Sequence, residues 1–179
     1  MHLKVYEVKR ILTDTFLKGN KYRISAGVMI YSLPIVALLP FFGAFLVAYA
    51  SRMNRMASAW CAGLITIGAI IILYQNVGFV FSGGQAIQTW SWIPILGLDF
   101  AFRLDGLSFL FASIILIIGL LIVIYARYYL TANDHMGRFY AYLLLFMGSM
   151  LGIVLSENLI LLVIFWELTS LSSFLLISY

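Results

Sequence analysis

The chain has 179 residues, 64% of them hydrophobic and 10% charged, with a net charge of +4 and a mean hydropathy of +1.05. Soluble domains carry about 25% charged residues, and a water-soluble domain of this size could not hide so much apolar side chain, so composition points to a polytopic membrane protein. The basic residues lie between apolar runs, where membrane anchoring accounts for them, and they give no reason to expect nucleic acid as a partner.

The first stretch, residues 1–25, differs from the rest: it holds six of the eleven basic residues, together with Glu7 and Asp14. It reads as a basic N-terminal extension of doubtful authenticity, with Met29 as an alternative start, ahead of a transmembrane domain over residues 26–179. Apolar runs follow at 26–50, 57–81, 107–126, 139–155 and 159–179. A span needs about 20 apolar residues, with a range of roughly 17–25, so all five qualify and the fold class is all-α, with about five transmembrane helices. The first run is too long for a signal-peptide core, and it contains Pro34 and Pro40, which membrane helices tolerate when neighbours satisfy the freed carbonyls.

Between the second and third runs, "SGGQAIQTWSWIPILGLDFAFRLDG" alternates polar with apolar residues after a Gly83-Gly84 turn signal, the pattern of a short hairpin. Trp90 and Trp92 suit the membrane–water boundary. The first and third inter-helix loops hold Arg52, Arg55, Arg127 and Arg138, whereas the second and fourth hold only Arg103. Positive charge marks the cytoplasmic side, which puts loops one and three in the cytoplasm and the N-terminus outside. The basic extension argues for the reverse; the two internal loops agree with each other and are preferred.

Cys61 lies inside an apolar run and reads as a small hydrophobe; a single cysteine excludes an internal disulfide and a multi-cysteine metal site. No phosphate-binding loop, dinucleotide fingerprint or metal-ligating histidine pair is present, and no cofactor or metal is expected.

Glu167 stands out. It is eight residues into the last run, which is roughly 12 Å of helical rise and near the middle of a hydrocarbon core about 30 Å thick. A charged residue at that depth costs roughly 2.5–3.5 kcal/mol on translocon scales, so its carboxyl should face other helices or water. Burial favours the neutral carboxyl and a neighbouring cation the ionised one, an adjustable proton affinity that an ion or proton relay requires. A neutral glutamate hydrogen-bonded between helices is the structural alternative. At about 100° per residue, Ser170 shares the Glu167 face and could hold a water beside it, while Thr169, Ser172 and Ser173 fall on the far side.

Asp105 precedes the third run, where a carboxylate caps a helix or stands at the outer mouth of an ion path; Arg103 is placed to pair with it. Glu157, in "SEN", reads as a solvated turn residue. His135 is either an incidental loop histidine or a proton-uptake group.

The segments "WSWIPILGLDFAF", "LDGLSFLFASIILIIGLLIVIYARYYL" and "GRFYAYLLLFMGSMLGIVLSENLILLVIFWELTSLSSFLLISY" closely resemble the A subunit of the Mrp-type multisubunit Na⁺/H⁺ antiporters. They are more distantly similar to the L-type proton-pumping, antiporter-like subunit of respiratory complex I, whose usual Gly-Val-Gly-Leu-Cys after the Trp-Glu pair is missing here. The resemblance covers residues 33–179. It implies an antiporter-like fold of inverted repeats with broken helices, of which this chain would supply an N-terminal fragment. It also implies a cation (Na⁺) and proton as transported ions, other Mrp-type subunits and the lipid bilayer as partners, and a multi-pass place in the bacterial inner membrane. Glu167 matches the family's Trp-Glu glutamate on the fifth helix, which pairs with a lysine on the seventh; that lysine has no counterpart here. Two alternatives stand beside the antiporter: a proton-pumping membrane subunit of NADH:quinone oxidoreductase, and a truncated membrane fragment without transport activity.

Overall fold

The computed structural model describes residues 33–52, 54–93, 98–130 and 134–179. The basic extension over residues 1–25, the candidate start Met29 and the beginning of the first apolar run lie outside the described residues, as do the side chains of Arg55 and Trp92. Among the described residues, five helical segments are long and apolar enough to cross a membrane.

Helix α1 runs Leu33–Ala50. Pro34 sits in its first turn, where the missing N–H would have had no helical partner anyway; Pro40 lies inside the helix. Helix α2, Arg55–Tyr74, starts at Asn54, whose side-chain oxygen accepts the Met56 N–H at 3.2 Å. The sequence reads residues 57–81 as one run, but the helix breaks at Gln75-Asn76 and a five-residue helix, α3 (Val77–Phe81), completes it. Asn76 is buried, and its amide donates to the Ile72 carbonyl at 3.1 Å while its backbone N–H bonds Leu73. An asparagine side chain that competes for the i−4 carbonyl tightens the last turn and stops the helix.

Gly83, with φ +77°, then turns the chain into a hairpin of β1 (Ala86–Ile93) and β2 (Leu98–Leu104). The strands are antiparallel in a register that pairs Ala86 with Leu104 and Gln88 with Phe102. These four side chains are buried toward the helices, whereas Ile87 and Thr89 are exposed. Helix α4, Gly106–Tyr129, follows directly. Helix α5 runs Met136–Leu155 and α6 Leu159–Ile177. At the start of α6 the Asn158 side chain accepts the Leu161 N–H at 2.7 Å.

α5 is the centre of the bundle, packed against α1, α2, α4 and α6; α1 lies on α2, and α2 on α4. Bare glycine backbone lets neighbours approach, as small residues do between membrane helices: Gly148 faces Phe41, Gly119 faces Met147, and Gly152 faces Phe165. The buried Tyr140 hydroxyl donates to the Val123 carbonyl at 3.0 Å, tying α5 to α4. The outer faces remain apolar, with Phe45, Leu64, Leu121 and Phe174 all exposed, as a lipid solvent requires.

The two ends of the bundle are distinct. At one, Phe102 of β2 bridges Ser156, the Glu157 N–H bonds the Ala101 carbonyl at 2.9 Å, and the Asn158 amide donates to the Asp99 carbonyl. At the other, Gly137 abuts Ser51, joining the start of α5 to the end of α1.

Candidate functional site

α6 is the least enclosed helix: 17% of the residues in its apolar window are buried, against 56% for α5. The side it gives to α5 is the stripe Leu161, Phe165, Leu168, Ser172 and Leu176, at the helical spacing of three and four. Phe165 also meets the rings of Phe41 and Phe102, with centroids 6.2 and 6.3 Å away. Glu167 lies on the opposite face, exposed among Val163, Ile164, Ser170, Leu171 and Phe174. No other described residue hydrogen-bonds or ion-pairs with its carboxylate. Within the described residues Glu167 therefore faces away from the other helices.

The hydroxyls near it are engaged with their own helix. Ser170, on the same face, donates to the Trp166 carbonyl at 3.3 Å. Thr169 donates to Phe165 at 2.9 Å, and Ser172 to Leu168 at 2.7 Å and Thr169 at 3.1 Å. Three back-bonded hydroxyls within four residues share carbonyls that already accept helical amides, which loosens and bends helices slightly.

Asp105 is at one end of the bundle, as the N-cap of α4. Its carboxylate accepts the Ser108 N–H at 2.9 Å, and its own N–H donates to the Ser108 hydroxyl at 2.8 Å, forming a capping box. The Ser108 amide, helped by the Ser108 hydroxyl and the Arg103 guanidinium, holds the Asp105 carboxyl below its ordinary range. Arg103 Nη2 is 3.1 Å from Asp105, and Nη1 is 3.6 Å from Glu157. Glu157 is thus more than the solvated turn residue its sequence position implies: it joins the α5–α6 turn to the hairpin. These three charges line a cavity of about 360 Å³ with Ser108 and Ser156.

His135 is at the other end. Its backbone carbonyl accepts the Arg138 and Phe139 amides at 2.8 and 3.3 Å, while its exposed ring makes no capping bond. Asp105, Glu167 and His135 therefore occupy three separate levels of the bundle, and only Ser170 shares a face with Glu167. Among the described residues, no group of three or more histidine, cysteine, aspartate or glutamate side chains could hold a metal.

Residues 90–140 match the family model described as NADH-ubiquinone oxidoreductase (complex I), chain 5 N-terminus. The chain is 46% identical over 147 residues to a probable K⁺/H⁺ antiporter A/B subunit of Rhizobium meliloti, covering 82% of this chain and 15% of that protein. It is 44% identical over 148 residues to the Na⁺/H⁺ antiporter A1 subunit of Staphylococcus haemolyticus, covering 82% of this chain and 18% of that protein. It thus spans less than a fifth of the length of these relatives. Among solved structures, the Mrp complex from Dietzia sp. matches with a TM-score of 0.69 at 28% identity, over 81% of this chain and 16% of the matched one. The membrane-bound sulfane sulfur reductase, an archaeal respiratory membrane complex, shares the fold, with a TM-score of 0.62 at 21% identity over 80% of this chain and 22% of that one. By sequence and by fold, the chain is related to a segment of the A subunits of Mrp-type cation/proton antiporters and, through residues 90–140, to the N-terminal part of complex I chain 5.

Proposed function

We propose that this chain is the N-terminal portion of the A subunit of a monovalent cation/proton antiporter, assembled with other Mrp-type subunits in a bacterial inner membrane, and that it is a transporter component rather than an enzyme. The observation that carries the reading is Glu167, a carboxylate midway along an apolar span on the face of α6 that no other described helix covers. The relatives' names supply the reaction class, and they differ in the cation: K⁺ for one, Na⁺ for the other.

In this mechanism Glu167 takes its partner from elsewhere in the complete subunit, a lysine on a later helix as the resemblance implies. With the lysine charged and close, the carboxylate ionises; with the lysine displaced, the carboxyl takes up a proton. Each state biases the partner's proton affinity, and that coupling gates proton movement against cation movement. Ser170 holds a water on the same face. Asp105, with Arg103 and Glu157, forms the charged mouth at the hairpin end, and His135 takes up protons at the opposite end.

The test is cation-dependent proton movement in everted vesicles from cells carrying the intact subunit with its partners. Addition of Na⁺ or K⁺ should dissipate a respiration-generated pH gradient, and vesicles lacking the subunit should not respond. A response to neither cation, with NADH oxidation coupled to proton pumping instead, would support the second reading, a complex I membrane subunit, which the family match over residues 90–140 favours.

A further inference from the structure

At the end of the bundle that bears Arg52 and Arg138, α2 and α4 leave an outward-facing groove of about 250 Å³. Gly63, Leu64, Leu120 and Ile124 line its length, and Trp60 and Arg127 stand at its mouth. From Arg127 to Leu120, and from Trp60 to Ile67, the groove extends about 10 Å toward the middle of the span at 1.5 Å per residue. Gly63 keeps it open: a Cβ placed there would find its nearest neighbour, Val123, 4.0 Å away.

The mouth is cationic. Arg127 lies in the last turn of α4, its guanidinium carbon 5.3 Å from the centre of the Trp60 ring and 5.8 Å from that of Tyr128. Aromatic faces hold a guanidinium in place but leave its charge unneutralised. No carboxylate among the described residues lies within ion-pair distance of it. A fixed guanidinium with five N–H donors matches a phosphate, and an apolar trough running from it into the span matches a hydrocarbon chain. Nothing polar along that trough would retain a free anion.

We propose that this groove is a binding site for an anionic phospholipid, with the phosphate on Arg127 beside Trp60 and one acyl chain laid over Gly63 between α2 and α4. The site sits on the side of the membrane that the loop arginines mark as cytoplasmic, where the fixed cation selects an anionic headgroup over a zwitterionic one.

Trp60 reports on the site directly. The full chain, with Trp90→Phe, Trp92→Phe and Trp166→Phe leaving Trp60 as the only tryptophan, would be reconstituted in phosphatidylcholine bilayers. Its fluorescence quenching by brominated phosphatidylglycerol would be compared with that by brominated phosphatidylcholine. The expected preference for the anionic lipid is about fivefold, the worth of one cation near a membrane surface. It should fall to near one in Arg127→Gln and persist in Arg127→Lys. Gly63→Leu, which fills the trough while keeping the cation, should also lower it, and this variant decides the matter if Arg127→Gln fails to insert. Equal quenching by the two lipids in the parent protein would overturn the proposal. So would an anionic preference that survives Arg127→Gln or Gly63→Leu, which would assign it to diffuse attraction by Arg52 and Arg138.

Discussion

The ring of Phe165 on α6 occupies the space that Gly152 leaves on α5. This contact orients α6: with Phe165 turned inward, Glu167, two residues and about 200° further round the helix, must point away from the bundle. A side chain at position 152 would collide with the ring. Gly152→Leu should therefore destabilise the chain by about 1–3 kcal/mol, the usual range for overpacking. Thermal unfolding in detergent measures this. The double variant Gly152→Leu/Phe165→Ala should be more stable than the sum of the two single effects, because the leucine fills the volume the ring vacates.

Asp105 makes stability depend on acid pH. Its folded-state carboxyl titrates below the ordinary carboxylate range because the Ser108 amide bonds the ionised form. The stabilisation is complete above the unfolded-state pKa, near 4, and is lost as the pH falls through the folded-state value. Melting temperature followed downward from pH 6 should drop in the parent protein below about pH 4. Asp105→Asn, which still caps the helix but does not titrate, should show a shallower fall. Asp105→Ala should cost about 1 kcal/mol at neutral pH through loss of the cap. A pH profile identical in Asp105→Asn and the parent would remove this linkage.

Tyr140 spans α5 and α4 through one hydrogen bond to Val123. Tyr140→Phe keeps the ring and deletes that bond, leaving a carbonyl already bonded within its own helix. Interhelical bonds in membrane proteins average about 0.6 kcal/mol, so the expected loss is of that size in a reversible denaturation titration. A loss above about 2 kcal/mol would show the hydroxyl to have a further role.

Much of this arrangement is legible in the sequence, because it rests on local chemistry. Long apolar runs become helices wherever lipid offers no other partner for the backbone, alternation after Gly83 becomes a hairpin, and Asp105 caps the helix it precedes. The break at Asn76 escapes notice because hydropathy does not weigh an amide that bonds its own helix. The Arg103–Glu157 pair joins residues 54 positions apart, one in the hairpin and one in the α5–α6 turn, and Glu157 looks solvated when its turn is read singly. The stacking of Arg127 on Trp60 depends on how α2 and α4 pack, which residue spacing does not reveal. The open face of α6 is hidden for a related reason: apolar residues stand on every side of that helix, so periodicity cannot tell the α5 side from the other.

Glu167 carries the central claim. The direct measurement is antiport by the complete subunit complex in everted vesicles, comparing the parent with Glu167→Gln and Glu167→Asp at matched levels of assembled complex. Loss of the titratable group should cut cation-dependent proton movement by at least about tenfold, equivalent to about 1.4 kcal/mol, while Glu167→Asp, which keeps a proton site, should retain a substantial part. Full antiport in Glu167→Gln would contradict the account and reduce Glu167 to a packing residue on the exposed face of α6.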